Sequence, residues 1–145
     1  MSIWRTRLSL EELNAGGART LMEPLGIVFT EIGEDFVRGT MPVDERTRQP
    51  FGLLHGGASV ALAETLGSVG ASLCVDTTRY LCVGQEVNAN HVRSVRSGSV
   101  MGTARPLHVG TRSQVWSIDI VNEAGALVCV SRLTVAVIPR PQAGP

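Results

Sequence analysis

Between His55 and Val75 the chain reads HGGASVALAETLGSVGASLCV, and this stretch decides the fold. Apolar residues at Val60, Ala61, Leu62, Leu66, Val69, Ala71 and Leu73 fall on nearly every side of a helical wheel. A helix that is apolar all round is enclosed by other elements rather than laid on a surface. Its predicted span is Gly57 to Val75. Glu64 is the sole formally charged residue between Arg48 and Asp76, which raises a membrane span as the alternative. Gly56, Gly57, Gly67 and Gly70, with Ser59, Ser68, Ser72 and the mid-segment carboxylate, dilute the apolarity below what about 20 spanning residues require. A buried helix is therefore expected, with no membrane partner.

Outward from this helix the pattern changes. Upstream, Ser9-Leu10-Glu11-Glu12 has the form of a capping box, so a short helix is expected from Leu10 toward Asn14 before Gly16-Gly17. A loop through Pro24 follows, and Ile27 to Ile32 and Phe36 to Val43 read as a hairpin around Gly33-Glu34-Asp35. Arg46 to Leu54 reads as a loop. Downstream, four strands are expected at Leu81 to Val95, Ser99 to Leu107, Thr111 to Val121 and Ala126 to Ile138. Turn signals at Arg96-Ser97-Gly98, His108-Val109-Gly110 and Asn122 to Gly125 separate them. Two strands, one long helix and four strands make an α+β chain in which an antiparallel sheet wraps around the helix, a hot-dog architecture. It forms a single domain over 1–138, with 139–145 a frayed tail.

Bulk composition narrows the function. The 145 residues carry 13 basic and 13 acidic side chains, so no global field gathers nucleic acid. Cys74, Cys82 and Cys129 are odd in number, lack C-x-x-C spacing and sit in apolar stretches, as reduced, buried thiols do. The N-terminus reaches Glu11-Glu12 without the apolar core of a signal peptide, and a cytoplasmic location is expected. No metal site is expected, because His55, His91 and His108 show no ligand spacing.

Several residues carry chemistry. Glu64 lies mid-helix with no cationic neighbour in sequence, and an ionised carboxylate buried there would cost several kcal/mol without donors or water. Gly56 and Gly57 stand at the helix N-terminus, where unpaired N–H groups and the macrodipole favour a developing oxyanion; a plain turn is the competing account. Ser68, four residues beyond Glu64, shares its helix face, though a serine bonded to its own backbone would look the same. His91 and Arg93, two apart on an expected strand, project to one face, with Arg96 in the following turn; they suit phosphate groups or a solvated edge equally well.

The run Met41 to Ser59, with Ala63-Glu64 and Asn88-Ala89-Asn90-His91-Val92-Arg93-Ser94, closely resembles hot-dog thioesterases of the 4-hydroxybenzoyl-CoA and phenylacetate-pathway type. The resemblance covers nearly the whole chain, and the spacing of Gln49, His55-Gly56, Glu64 and Ser68 carries it. It implies hydrolysis of acyl-CoA thioesters with Glu64 as nucleophile or general base and the Gly56 amide on the carbonyl. Gln49 would hydrogen-bond the thioester or the attacking water, and His55 and Ser68 complete the catalytic set. His91, Arg93 and Arg96 would contact coenzyme A. No cofactor is implied, coenzyme A being part of the substrate. Aroyl- or arylacetyl-CoA esters are favoured, 1,4-dihydroxy-2-naphthoyl-CoA among them. A hydratase or dehydratase on the same fold and a non-catalytic CoA-binding module are the alternatives. Glu64 lies eight residues beyond Gly56, about 12 Å along a helix, so one thioester cannot touch both. A homodimer with shared active sites is therefore expected, and the resemblance implies a dimer of dimers.

Overall fold

In the computed structural model, which describes residues 1–142, the capping box forms as the sequence predicts. Ser9 Oγ accepts from Glu12 N–H while the Glu12 carboxylate accepts from Ser9 N–H, and α1 runs Leu10–Gly16. The expected loop contains one further short helix, α2 (Met22–Leu25), closed by Gly26 at φ 68°. The hairpin strands β1 (Val28–Ile32) and β2 (Val37–Pro42) precede the central helix α3 (Gly56–Leu73). Strands β3 (Tyr80–His91), β4 (Ser99–Val109), β5 (Ser113–Asn122) and β6 (Leu127–Pro139) complete the order.

All six strands form one antiparallel sheet in the order β1-β2-β4-β5-β6-β3. The sheet curls around α3, which touches β2 to β6. Close contact depends on absent side chains. A Cβ on Gly67 would stand 2.7 Å from Leu133 Cδ2, and one on Gly70 would stand 2.7 Å from Trp116 Cζ3. On the sheet side, Gly39 and Gly102 leave room for the two methyls of Leu66. The core fills this seam with Val37, Met41, Leu62, Leu66, Val100, Trp116, Ile118, Ile120, Leu133 and Val135, all at most 1 % exposed. Trp4 stacks on Trp116 from the N-terminal segment. Among the described residues, no helix is long and apolar enough to cross a membrane.

Three sequence expectations are corrected. First, α3 is not enclosed on all sides. Val60, Glu64, Ser68 and Ser72, with Ala61, Thr65 and Val69, form a half-buried stripe at four-residue spacing, because a single curled sheet covers only one side of a helix. Second, the strand expected to reach Val95 ends at His91. The N–H groups of Val92 and Arg93 both donate to Val128 O, so the ladder cannot alternate further. Third, order extends into the expected tail: Pro139 pairs with Tyr80, and Arg140 donates to Arg79 O and Thr77 O. The remainder of the expected tail, 143–145, lies outside the described residues.

A buried polar bridge ties sheet to helix. Fully buried Gln114 donates to Ala71 O at 3.2 Å and accepts from Trp116 Nε1 at 3.0 Å. Ala71 O also accepts from Cys74 N–H, whereas Trp116 Nε1 has no second partner among the described residues. Gln114→Leu should therefore leave the indole donor unpaired and cost about 1 to 3 kcal/mol, read as a lowered urea midpoint at unchanged m-value.

Candidate active site

His55 is the N-cap of α3, in extended conformation at φ −68° and ψ 129°. Its Nδ1 accepts from Gly57 N–H at 2.8 Å, so the neutral ring carries its proton on Nε2. The N–H groups of Ala58 and Ser59 both donate to His55 O. Of the first-turn donors, only Gly56 N–H has no partner among the described residues. One amide, on the residue without a side chain, is thus left facing outward at the positive end of an 18-residue helix.

The preceding loop is rigidly held. Gln49 N–H donates to Leu53 O, Leu54 N–H to Val95 O and His55 N–H to Thr47 O, with Arg48 and Leu54 forming an isolated bridge. The Gln49 side-chain oxygen accepts from Phe51 N–H and Leu53 N–H. With that oxygen occupied, its NH₂ is the group left to meet a ligand, so Gln49 presents donors rather than an acceptor.

These groups converge. A cavity of about 340 Å³ is lined by Gln49, Leu54, Gly56, His91 and Arg93, among others. His91 packs over Gly56, where an added Cβ would lie 2.7 Å from its Nε2. Arg93 is not on the strand as expected; it sits beyond the end of β3, its Nε donating to Leu127 O at 3.3 Å. Arg96 does not line the cavity. Its carbonyl accepts from Arg48 Nε, and Arg48 is likewise absent from the lining. A larger cavity of about 460 Å³ near Trp4 and Leu73 lies at the opposite end of α3, away from this cluster.

Glu64 and Ser68 are absent from the cavity lining. Both belong to the half-buried stripe of α3, and Glu64 is only partly shielded, not fully buried as its apolar sequence context implies. Its carboxylate has no hydrogen-bond partner among the described residues and lies against Gly84 of the edge strand β3. Thiol nucleophiles are disfavoured, since burial raises Cys82 and Cys129 and pushes Cys74 up to about 11, keeping all three protonated near neutrality. Cys74 and Cys82 are half-buried rather than enclosed; Cys129 is buried. Among the described residues, no three His, Cys, Asp or Glu side chains come together as metal ligands.

Comparison with known proteins places this geometry in context. The family model described as thioesterase superfamily matches residues 51–129. The 1,4-dihydroxy-2-naphthoyl-CoA hydrolase of Escherichia coli K12 is 54% identical over 136 residues, covering 94% of this chain and 99% of its own. The proofreading thioesterase EntH of Cronobacter sakazakii is 52% identical over 138 residues, covering 94% and 98%. The crystal structure of the thioesterase PA1618 of Pseudomonas aeruginosa, in its Q49A variant, matches with a TM-score of 0.94 at 50% identity over 96% of this chain and 100% of that one.

The cap on α3 yields a test independent of turnover. His55→Ala should lower stability by about 0.5 to 2 kcal/mol in urea denaturation, whereas His55→Asn, which restores a capping acceptor, should recover most of the loss. Equal instability of both variants would remove the capping role.

Proposed function

The chain belongs to the thioesterase superfamily and is a thioester hydrolase, and on that premise we propose how its residues divide the work. Gly56 N–H and the Gln49 NH₂ hold the carbonyl oxygen of an acyl-CoA, and Glu64 of a second chain attacks its carbon or delivers a water to it. If Glu64 attacks, the C–S bond breaks to leave a mixed anhydride that water then opens, restoring the carboxylate; if Glu64 delivers a water, that water displaces the thiolate directly. Either way the thiolate of coenzyme A leaves and takes up a proton from the consumed water, and the acyl group ends as the free acid. His91 and Arg93, which line the cavity, meet the phosphates, for which guanidinium groups are apt partners, and Arg96 in the following turn extends the basic surface. His55 sets the turn through its cap, and Ser68 shares the open stripe with Glu64. Crystallisation of the P. aeruginosa relative with its glutamine 49 replaced supports attention to Gln49.

The observation that carries the shared site is separation. Gln49, Gly56, His91 and Arg93 gather around one cavity, while Glu64 stands by Gly84, about 12 Å along the helix from Gly56. Attack needs about 3 to 3.5 Å between the reacting atoms. Among the described residues strand β3 is a sheet edge, bonded to β6 alone, and its outer side is free for pairing. If β3 pairs antiparallel with its copy about a point between Val87 and Asn88, Gly84 of one chain comes opposite His91 of the other. Glu64, beside Gly84, then meets the partner's copy of the Gly56 turn, and two-fold symmetry makes two equivalent sites. Association of such dimers into tetramers is part of the proposal.

The substrate class we propose is supported by one relative and by an exposed aromatic side chain near Gln49. A hydrolase of 1,4-dihydroxy-2-naphthoyl-CoA is 54% identical to this chain, and Phe51, 83% exposed beside Gln49, offers an aromatic surface to an acyl group. Aroyl- or arylacetyl-CoA is our assignment, to be checked by comparing kcat/KM for dihydroxynaphthoyl-, benzoyl-, phenylacetyl- and fatty acyl-CoA.

Glu64→Ala should lower kcat at least about a hundredfold with the fold intact. Refolding Glu64→Ala together with Gln49→Ala, each inactive alone, should return activity, because a mixed dimer holds one intact site. Heterodimers that form yet stay inactive would rule out sharing. Arg93→Ala should raise KM for CoA esters and leave N-acetylcysteamine esters nearly unaffected; equal damage to both would take Arg93 out of the nucleotide site.

A further inference from the structure

We propose that Gly84 is a positioning residue for the Glu64 carboxylate, its missing side chain being the space that the reacting group occupies. The inference rests on the catalytic assignment of Glu64 made above. A Cβ built on Gly84 would overlap Glu64 Oε1 and lie 3.3 Å from its Cδ. Its next neighbour, Leu133 Cδ1 at 3.7 Å, is in ordinary contact, so the carboxylate alone excludes a side chain.

A left-handed backbone is not the reason for glycine here. Gly84 is not among the residues with positive φ, unlike Gly26, Gly52, Gly98 and Gly125. Gly98 also faces a carboxylate, that of Glu123, but its φ of 81° explains the glycine by itself. Inside a strand, glycine loses entropy on folding and contributes no packing, so its presence marks a close approach. The ladder to β6 slips between Gly84 and Glu86, leaving Gln85 as an extra residue. Such bulges re-aim side chains beside functional sites. Since no hydrogen bond within the described residues fixes the Glu64 carboxylate, steric boundaries place it, and Gly84 is the boundary on the β3 side.

Substitution here should separate activity from stability. The atom that an added methyl would meet is the far end of a flexible side chain, so the carboxylate moves and the backbone stays. Gly84→Ala should lower kcat about a hundredfold, the cost of a displacement of about 1 Å, with little change in KM. Its Tm should equal or exceed that of the parent, with the same oligomeric mass in solution. In Glu64→Asp, whose carboxylate is one methylene shorter, adding Gly84→Ala should cost far less than in the parent.

Undiminished kcat in Gly84→Ala beside an inactive Glu64→Ala would sink the positioning role alone. Activity lost together with Tm or oligomeric mass would make the residue structural, and an undiminished penalty in the Glu64→Asp background would show that it acts on something else. A fully active Glu64→Ala would overturn the catalytic assignment, and this inference with it.

Discussion

The closeness of α3 to the curled sheet is the constraint on which everything else depends. Gly67 and Gly70 on the helix admit Leu133 and Trp116, and Gly39 and Gly102 on the sheet admit Leu66. Helices and sheets with ordinary side chains at those positions would stand farther apart, and the seam of Leu62, Ile118 and Ile120 would open into voids that interiors do not tolerate. The buried amide of Gln114 adds direction to this contact by joining Ala71 O to the indole of Trp116. Apolar filling alone would allow the helix to slide; the amide bridge and the Trp4 stack hold one registration.

That registration makes α3 a rigid spacer. Its first turn carries the Gly56 N–H, unpaired among the described residues, and its open stripe carries Glu64 about two turns later and Ser68 about three turns later. A straight helix cannot bring them together, so the chemistry we assign to them needs a second surface. The rigidity of the Gln49 loop matters for the same reason. Its oxygen is consumed by local N–H groups, and a donor fixed before a ligand arrives costs no reorganisation when charge develops.

Much of this was legible in the sequence. The capping box, the turns after β1 and β5 and the extent of α3 followed from local patterns, because each depends on a few adjacent side chains; the turn expected at His108 to Gly110 starts later, since β4 runs to Val109, and the turn at Arg96 to Gly98 joins strands that do not pair. Catalytic candidates came from motif spacing, and the structure gathers Gln49, Gly56, His91 and Arg93 in one cavity. What escaped was set by distant contacts. The end of β3 at His91 depends on one carbonyl, Val128 O, shared by two N–H groups. The open stripe of α3 depends on how many sides a single sheet can cover, which wheel periodicity does not encode. The Arg48 side chain reaches the Arg96 carbonyl across 48 residues of sequence, and Gly84 gains its role only through a side chain twenty residues earlier on another element.

The strand order has a consequence for how the molecule is made. β3 does not pair with β4, its neighbour in sequence, but with β6, the last strand, through the register Tyr80↔Pro139 to His91↔Cys129. A chain emerging from the ribosome therefore holds the wall beside Glu64 without a hydrogen-bonded partner until its final strand is free. Loop closure over some forty residues must precede that pairing, which places the completion of the carboxylate's surroundings late in folding. In the half built on the Gln49 loop and the first turn of α3, the bonds Gln49 N–H to Leu53 O, His55 N–H to Thr47 O and Gly57 N–H to His55 Nδ1 are local, and the longer Leu54 N–H to Val95 O needs the chain only as far as the segment after β3. The two halves thus mature at different times within each chain, and the carboxylate gains its final setting only when synthesis of the fold is complete.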